Sequence, residues 1–232
     1  MRPRQTILLG LLLLVPVLAF LFLYGFGSNQ YALPTYLPER ADSVRLAGGG
    51  WQRDTVFHQV RPFKVRGVGG RYVASSTLGN GLYVVQVFAQ DAASAQVARE
   101  MARIQEKFRP DQRVRLASLV GLMPGTAATV VDAQLEKLSE QYGTISGKWF
   151  FLGVPTDTLQ QLAQYEFGLT ALRPEHLPFR PATEPATLPA SRLLLIDHEQ
   201  HVRGIYDGTD IHEIERLITE INVLLYIYDH RH

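Results

Sequence analysis

The chain opens on a long apolar run. From Ile7 to Gly27 there is no charge and almost every residue is apolar. About 20 such residues span a bilayer as a helix. Pro16 lies inside the run, and membrane helices tolerate proline better than soluble ones do. Arg2 and Arg4 precede it, and no charge follows until Glu39. The positive-inside bias then places the N-terminus in the cytoplasm and the rest of the chain across the membrane. A cleaved signal peptide is the competing reading. Its apolar region would be about 7–15 residues long and end at a small-residue site. This run is longer and leads into Gly-Phe-Gly-Ser-Asn, a poor cleavage site. The expectation is an uncleaved anchor over residues 1–27, held by membrane lipid, with Tyr24 and Tyr31 at the outer interface. Residues 28–54 read as a linker. Asn29, Pro34, Pro38 and Gly48-Gly49-Gly50 interrupt them, and apolar positions are few.

From residue 55 the pattern changes to alternating strands and helices. His58 to Val65 alternates, Gly67-Val68-Gly69-Gly70 turns, and Arg71-Tyr72-Val73 returns, which predicts a hairpin. Without a Gly-Lys-Ser/Thr sequence, those glycines read as a turn rather than a phosphate cradle. Leu82 to Phe88 (LYVVQVF) reads as a central strand buried on both faces. Asp91 caps a helix whose apolar face is Val97, Met101, Ile104 and Phe108, and Pro110 ends it. Val114 to Val120 is the next strand. Thr126 is placed to cap a helix with the stripe Val131, Leu135, Leu138 and Tyr142, closed by Gly143. Trp149 to Leu152 is a short strand, and Thr156 caps a third helix with Leu159, Leu162 and Ala163 inward.

Five prolines between Gly168 and Ala190 exclude regular structure there and predict an extended surface excursion. Leu193 to Asp197 and Val202 to Tyr206 form a hairpin. Asp210 and Glu213 fit a capping box before a helix striped by Ile214, Leu217, Ile218, Ile221, Leu224 and Leu225. The order is hairpin, β, α, β, α, β, α, hairpin, α. It implies an α/β three-layer sandwich around a mixed sheet, an order that fits the thioredoxin arrangement.

Composition narrows the chemistry. The 232 residues are 46% hydrophobic and 19% charged, enough apolar material for one domain plus an appendage. With 23 basic against 22 acidic residues, there is no electrostatic footprint for nucleic acid. The chain has no cysteine, which excludes disulfides, thiol catalysis and thiolate metal sites.

Several stretches together resemble the SCO/SenC family of membrane-anchored, thioredoxin-like proteins that deliver copper to cytochrome c oxidase. They are Asn29-x-Tyr31-x-Leu33-Pro34, Val60-x-Pro62-Phe63, Met101 to Phe108, and Lys148-Trp149-Phe-Phe-Leu152. The closest pair is Leu195-Ile196-Asp197 with Arg203-Gly204-Ile205-Tyr206-Asp207-Gly208-Thr209-Asp210. The resemblance runs from the anchor to the last helix and implies a thioredoxin-like domain over 55–232, on the periplasmic side of the cell membrane. The family carries Cys-Pro-x-x-x-Cys-Pro where the central strand meets the first helix, and a histidine shortly before the Leu-Ile-Asp strand. Those positions fall here on Gln90, Ser94 and Pro189. The family's Asp-Pro-x-x-Asp-Thr loop is replaced by Leu122-Met123-Pro124-Gly125-Thr126. Soft Cu(I) wants thiolates and Cu(II) wants imidazole or charged ligands, and these residues offer neither. The resemblance therefore implies a non-enzymatic accessory in copper delivery or oxidase assembly, without cofactor, catalytic or metal-ligating residues of its own. Its partners would be oxidase subunits or a cysteine-bearing SCO-like paralogue.

Other constellations are weighed against plainer readings. His198 and His201, or the terminal His230 and His232, could form a rebuilt copper site, which is the alternative function. Convergence across a turn and order at a terminus are not given by such spacing. A third alternative is unrecognised enzyme chemistry around Gln90. His58 and His212 read as exposed histidines. Asp197 with Glu199, and Asp207 with Asp210, read as turn and cap residues rather than acid–base pairs. Arg99, Arg103 and Lys107 read as a solvated helix face, and Tyr226-Ile227-Tyr228 as core closure.

Overall fold

The computed structural model describes residues 14–18, 20, 33–45, 51–79, 81–169 and 190–230. The chain divides into two compact units, Met1–Ala32 and Leu33–His232. In the first, residues 14–18 and 20 are helical and exposed. The rest of the expected span Ile7 to Gly27 lies outside the described residues. Among the described residues no helix is long and apolar enough to cross a membrane.

The second unit is organised by β5 (Leu82–Phe88), whose every residue is buried. Parallel pairing joins it to β6 (Val114–Leu122), and β6 in turn to β7 (Trp149–Pro155). On its other side β5 pairs antiparallel with β8 (Arg192–Ile196), which forms a hairpin with β9 (Val202–Asp207). The hairpin of β3 (Lys64–Gly67) and β4 (Tyr72–Ala74) completes the far edge. The strand order is β4-β3-β7-β6-β5-β8-β9.

The crossover helices α2 (Ala92–Lys107) and α3 (Ala128–Gln141) pack into one core layer on one face. There Met101, Ile104, Leu135 and Leu138 pack with Leu82, Val84, Leu116 and Phe151, and the long α5 (Ile211–His230) joins them. The expected apolar stripes of α2 and α5 are buried, as are Val131, Leu135 and Leu138 of α3, while Tyr142 is half-buried. The opposite face is covered by α4 (Thr156–Gln161), a π-helical turn Leu162–Glu166, the one-turn α1 (Ser75–Leu78) and the incoming chain at Leu37 and Val60. The α/β three-layer expectation therefore describes this unit.

Four local expectations change. The expected linker 28–54 contains β1 (Pro38–Arg45) and most of β2 (Trp51–Phe57), which pair as a separate two-stranded sheet. Main-chain pairing defines this ribbon, and its PERADSVR strand carries no apolar period to betray it. His58 to Phe63 is not a strand of the edge hairpin. Its amides go elsewhere: Val60 N donates to Gln200 O, Arg61 N to Glu166 Oε2 and Phe63 N to Ser75 Oγ. Thr126 and Thr156 do not cap their helices, because their hydroxyls donate to Met123 O and Leu122 O, leaving Ala127 and Pro155 at the cap positions. Asp210 does cap α5 through His212 N, whereas Glu213 turns to Arg216 instead of closing the box. The proline-rich excursion falls at 170–189, outside the described residues.

Candidate functional site: the β5–α2 corner

At its C-terminal end β5 passes through Ala89 and Gln90 into the N-cap Asp91. The Asp91 carboxylate accepts the Ser94 N–H at 2.7 Å, which satisfies one of the first-turn donors of α2. That bond holds the Asp91 carboxyl below its ordinary range. Ser94 is fully buried, and its hydroxyl accepts the Ala89 N–H at 2.9 Å. Its carbonyl accepts from Gln86 Nε2 at 2.8 Å. Gln86 Oε1 accepts from Ser118 Oγ at 3.1 Å, and Ser118 Oγ accepts from Trp149 Nε1 at 3.0 Å. A polar line thus runs from β7 through β6 and β5 into α2, inside the apolar layer. Each of these side chains is partnered, as buried polar groups require.

The two positions matched to the family's cysteines differ in setting. Ser94 is inward and hydrogen-bonded. Gln90 is exposed and takes a left-handed backbone at φ +60°, a conformation most side chains disfavour. Neither presents a thiolate or an imidazole. Pro189 lies outside the described residues.

The opposite end of the sheet carries the histidine turn. Tyr83 pairs with Ile196, so the β8–β9 turn sits beyond the start of β5. From Tyr83 to Phe88, at roughly 3.3 Å per residue, the separation from the corner is about 17 Å. Asp197 is buried there. Its Oδ1 accepts the Glu199 and His201 N–H groups, each at 2.9 Å, and its Oδ2 accepts Arg203 Nη1 at 3.1 Å. His201 Nδ1 stands 3.5 Å from Glu199 Oε2 and 4.0 Å from Asp197 Oδ1. One ligand atom from each of Asp197, Glu199 and His201 falls within 4.8 Å of the others.

His198 does not join that group. Its ring meets the edge of Tyr228 at 4.5 Å, although its Nε2 comes within 3.8 Å of Glu199 Oε1. His230 stacks on Tyr226 and bonds its carbonyl, and His232 lies outside the described residues. His198 and His201 are therefore neighbours of one carboxylate rather than a converging pair.

His58 departs from expectation. It is buried, with Nδ1 2.7 Å from Glu39 Oε1 and Nε2 3.6 Å from Glu166 Oε2. Glu166 also takes the Arg61 guanidinium at 2.6 Å. His212 is exposed, as expected. Asp207 accepts from Thr209 N and Oγ1, and Asp210 caps α5, so both carboxylates serve turns and caps. Arg103 pairs with Glu215, while Tyr228 packs on the core and Tyr226 stays exposed. Gln86 and Ser118 belong to no motif or period in the sequence, and their one visible signal is a glutamine inside an otherwise apolar strand.

No family model matches the chain, and no curated protein is similar to it in sequence. Solved structures are similar in fold. BsSco, a member of the Sco family of cytochrome c oxidase assembly proteins, matches 73% of this chain and 95% of its own, at 16% identity and a TM-score of 0.54. An SCO1/SenC family lipoprotein from Bacillus anthracis matches 72% of this chain and 95% of its own, at 16% identity and a TM-score of 0.53. The fold is thioredoxin-like. A thioredoxin family thiol:disulfide interchange protein from Chlorobium tepidum shares it, at 14% identity over 74% of this chain and 99% of its own, with a TM-score of 0.50. Within this thioredoxin-like fold, the corner of Gln90 and Ser94 is where the family resemblance placed the two cysteines.

Proposed function

We propose that the chain is a Sco-like accessory protein, anchored in the cell membrane by its N-terminal apolar segment, with its folded unit outside the cytoplasm. It acts by docking in copper delivery or respiratory oxidase assembly and carries out no thiol or copper chemistry of its own. The observation behind this reading is the corner itself. The fold that resembles Sco proteins is kept, while Ser94, Gln86 and Ser118 fill the corner with a closed hydrogen-bond line in a chain without cysteine. Function lives in sites rather than folds, so the reading commits to docking and no more. Affinity capture of the full-length protein from membranes tests it. Recovery of oxidase subunits or of a cysteine-bearing Sco-like protein supports the reading, and repeated recovery of neither overturns it.

The grouping of Asp197, Glu199 and His201 favours a second reading, a metal-binding protein with an imidazole–carboxylate site. It predicts stoichiometric copper or zinc that is lost in His201→Ala and kept in His198→Ala. Both oxygens of Asp197 already accept backbone or Arg203 donors, which weighs against it.

A further inference from the structure

A cleft of about 560 Å³ opens between the β5–α2 corner and α3. Its floor is apolar. Phe88 and Leu138 are buried, and Tyr142 is half-buried with its ring stacked on Phe151 at 5.9 Å. Val130, 56% exposed, carries that surface out to the mouth. The rim is polar and close to neutral. One face of α3 supplies Gln134, Lys137 and Gln141, and the corner supplies Gln90 and Asp91. One oxygen of the Asp91 carboxylate, Oδ1, accepts from Ser94 N. The side chains of Gln90, Gln134 and Gln141 hydrogen-bond to no other described residue.

A primary amide offers one acceptor and a donor group, the same pair that a peptide bond offers. Three of them around an apolar floor complement an uncharged main chain better than an ion, which would find one lysine and one aspartate of opposite sign on the same rim. Gln90 also holds its position in a left-handed backbone that glycine would adopt without strain. Strain of this kind gathers where a side chain has a use.

We propose that this cleft docks an extended, uncharged peptide segment of a partner protein. One apolar side chain of that segment rests on Phe88, Leu138 and Tyr142, and its main-chain amides meet the glutamines. The proposal rests on the accessory reading of the same corner and names what the corner holds.

Terminally blocked pentapeptides, acetyl-Ala-Ala-X-Ala-Ala-amide, test it against the full-length protein in lipid nanodiscs, followed by methyl NMR. With X as Leu or Phe, the Val130, Ala133 and Leu138 methyls shift saturably. With X as Asp or Lys, binding weakens at least about tenfold. Ala133→Arg, at an exposed position of the helix face, removes the shifts and leaves the melting temperature unchanged. Gln90→Gly keeps the fold and weakens binding. The proposal falls if no peptide gives saturable shifts up to about 5 mM. It falls equally if the shifts survive Ala133→Arg, or if a charged X binds more tightly. Membrane capture that recovers no oxidase or Sco-like partner would sink the accessory reading alone, since the peptide titration does not depend on which protein supplies the segment.

Discussion

Ser118 Oγ bridges Trp149 and Gln86, accepting from the indole at 3.0 Å and donating to the amide at 3.1 Å, with Ser118 itself fully buried. Ser118→Ala leaves an indole N–H and an amide oxygen without partners in an apolar layer. Each orphan costs roughly 1–3 kcal/mol, so a loss of about 2–6 kcal/mol is expected. For a unit of this size that lowers the melting temperature by about 5–20 °C. Paired with Gln86→Leu, the effects should be non-additive, because one serine serves both partners. Urea melts of the two single variants and the double variant check this; strict additivity would show that the line is not a connected network.

The extent to which this arrangement can be read from the chain depends on where the partners lie. The stripe of Val97, Met101, Ile104 and Phe108 needs only a helical period, and all four are buried as that period requires. The β1–β2 ribbon hides because strand pairing alone leaves no apolar alternation. His58 reads as an ordinary surface histidine because its partners, Glu39 and Glu166, come from β1 and from the π-helical turn. Gln86 is visible as an anomaly in LYVVQVF, but its answer, Ser118 and Trp149, exists only once three strands are in register. Periodicity reveals faces, whereas polar closure belongs to the tertiary structure.

Gly204 faces the ring of Tyr206. A β-carbon there would lie 2.0 Å from the Tyr206 hydroxyl oxygen and 2.3 Å from the ring carbon bearing it. The ring is held in place by its hydroxyl, which donates to Glu220 Oε2, and by the Arg216 guanidinium 4.4 Å above it. Gly204→Ala must displace this assembly and should cost about 2–4 kcal/mol. Gly125→Ala, where a β-carbon meets nothing within 4 Å, is the matched control and pays only for its positive φ. Equal melting temperatures for the two variants would contradict this account.

Arg203 ties the incoming chain to the β8–β9 turn. Its guanidinium donates to Leu33 O at 2.8 Å, to Pro34 O at 3.2 Å and to the buried Asp197 carboxylate at 3.1 Å. Arg203→Ala leaves that buried carboxylate with backbone donors on Oδ1 but no charged partner, and frees two carbonyls, for an expected loss of about 3 kcal/mol. Arg203→Lys keeps the charge but loses the fork, so it should recover only part of the stability. Limited proteolysis before Tyr36 should accelerate in the same order, alanine above lysine above the parent. Unchanged cleavage would mean that the strap is held by Leu37 packing alone.

Acid should weaken the fold through four aspartates. Asp91 is held below its ordinary range by the Ser94 N–H, Asp111 by the Arg113 guanidinium, Asp132 by Arg66 and Asp207 by the Thr209 hydroxyl. A folded-state pKa below the unfolded one adds stability that is complete above the unfolded value. That stability is lost as pH falls through the folded one. The contribution is therefore intact above about pH 5 and declines below about pH 4. Urea midpoints at intervals between these limits should fall with pH. Asp111→Asn, which removes one of the four, should fall less steeply between pH 5 and 3 than the parent.

Gln90 offers the reverse case, a substitution that should stabilise. Its φ of +60° costs a residue with a β-carbon about 1–2 kcal/mol relative to glycine, and its side chain makes no hydrogen bond to another described residue in return. Gln90→Gly removes that strain but gives the unfolded chain more freedom, so the net gain should be about 0.5–1 kcal/mol. Gln90→Ala keeps the β-carbon and should gain nothing. Chemical denaturation of both variants separates backbone strain from side-chain loss. If alanine stabilises as much as glycine, the strain lies in the glutamine side chain rather than in the left-handed backbone.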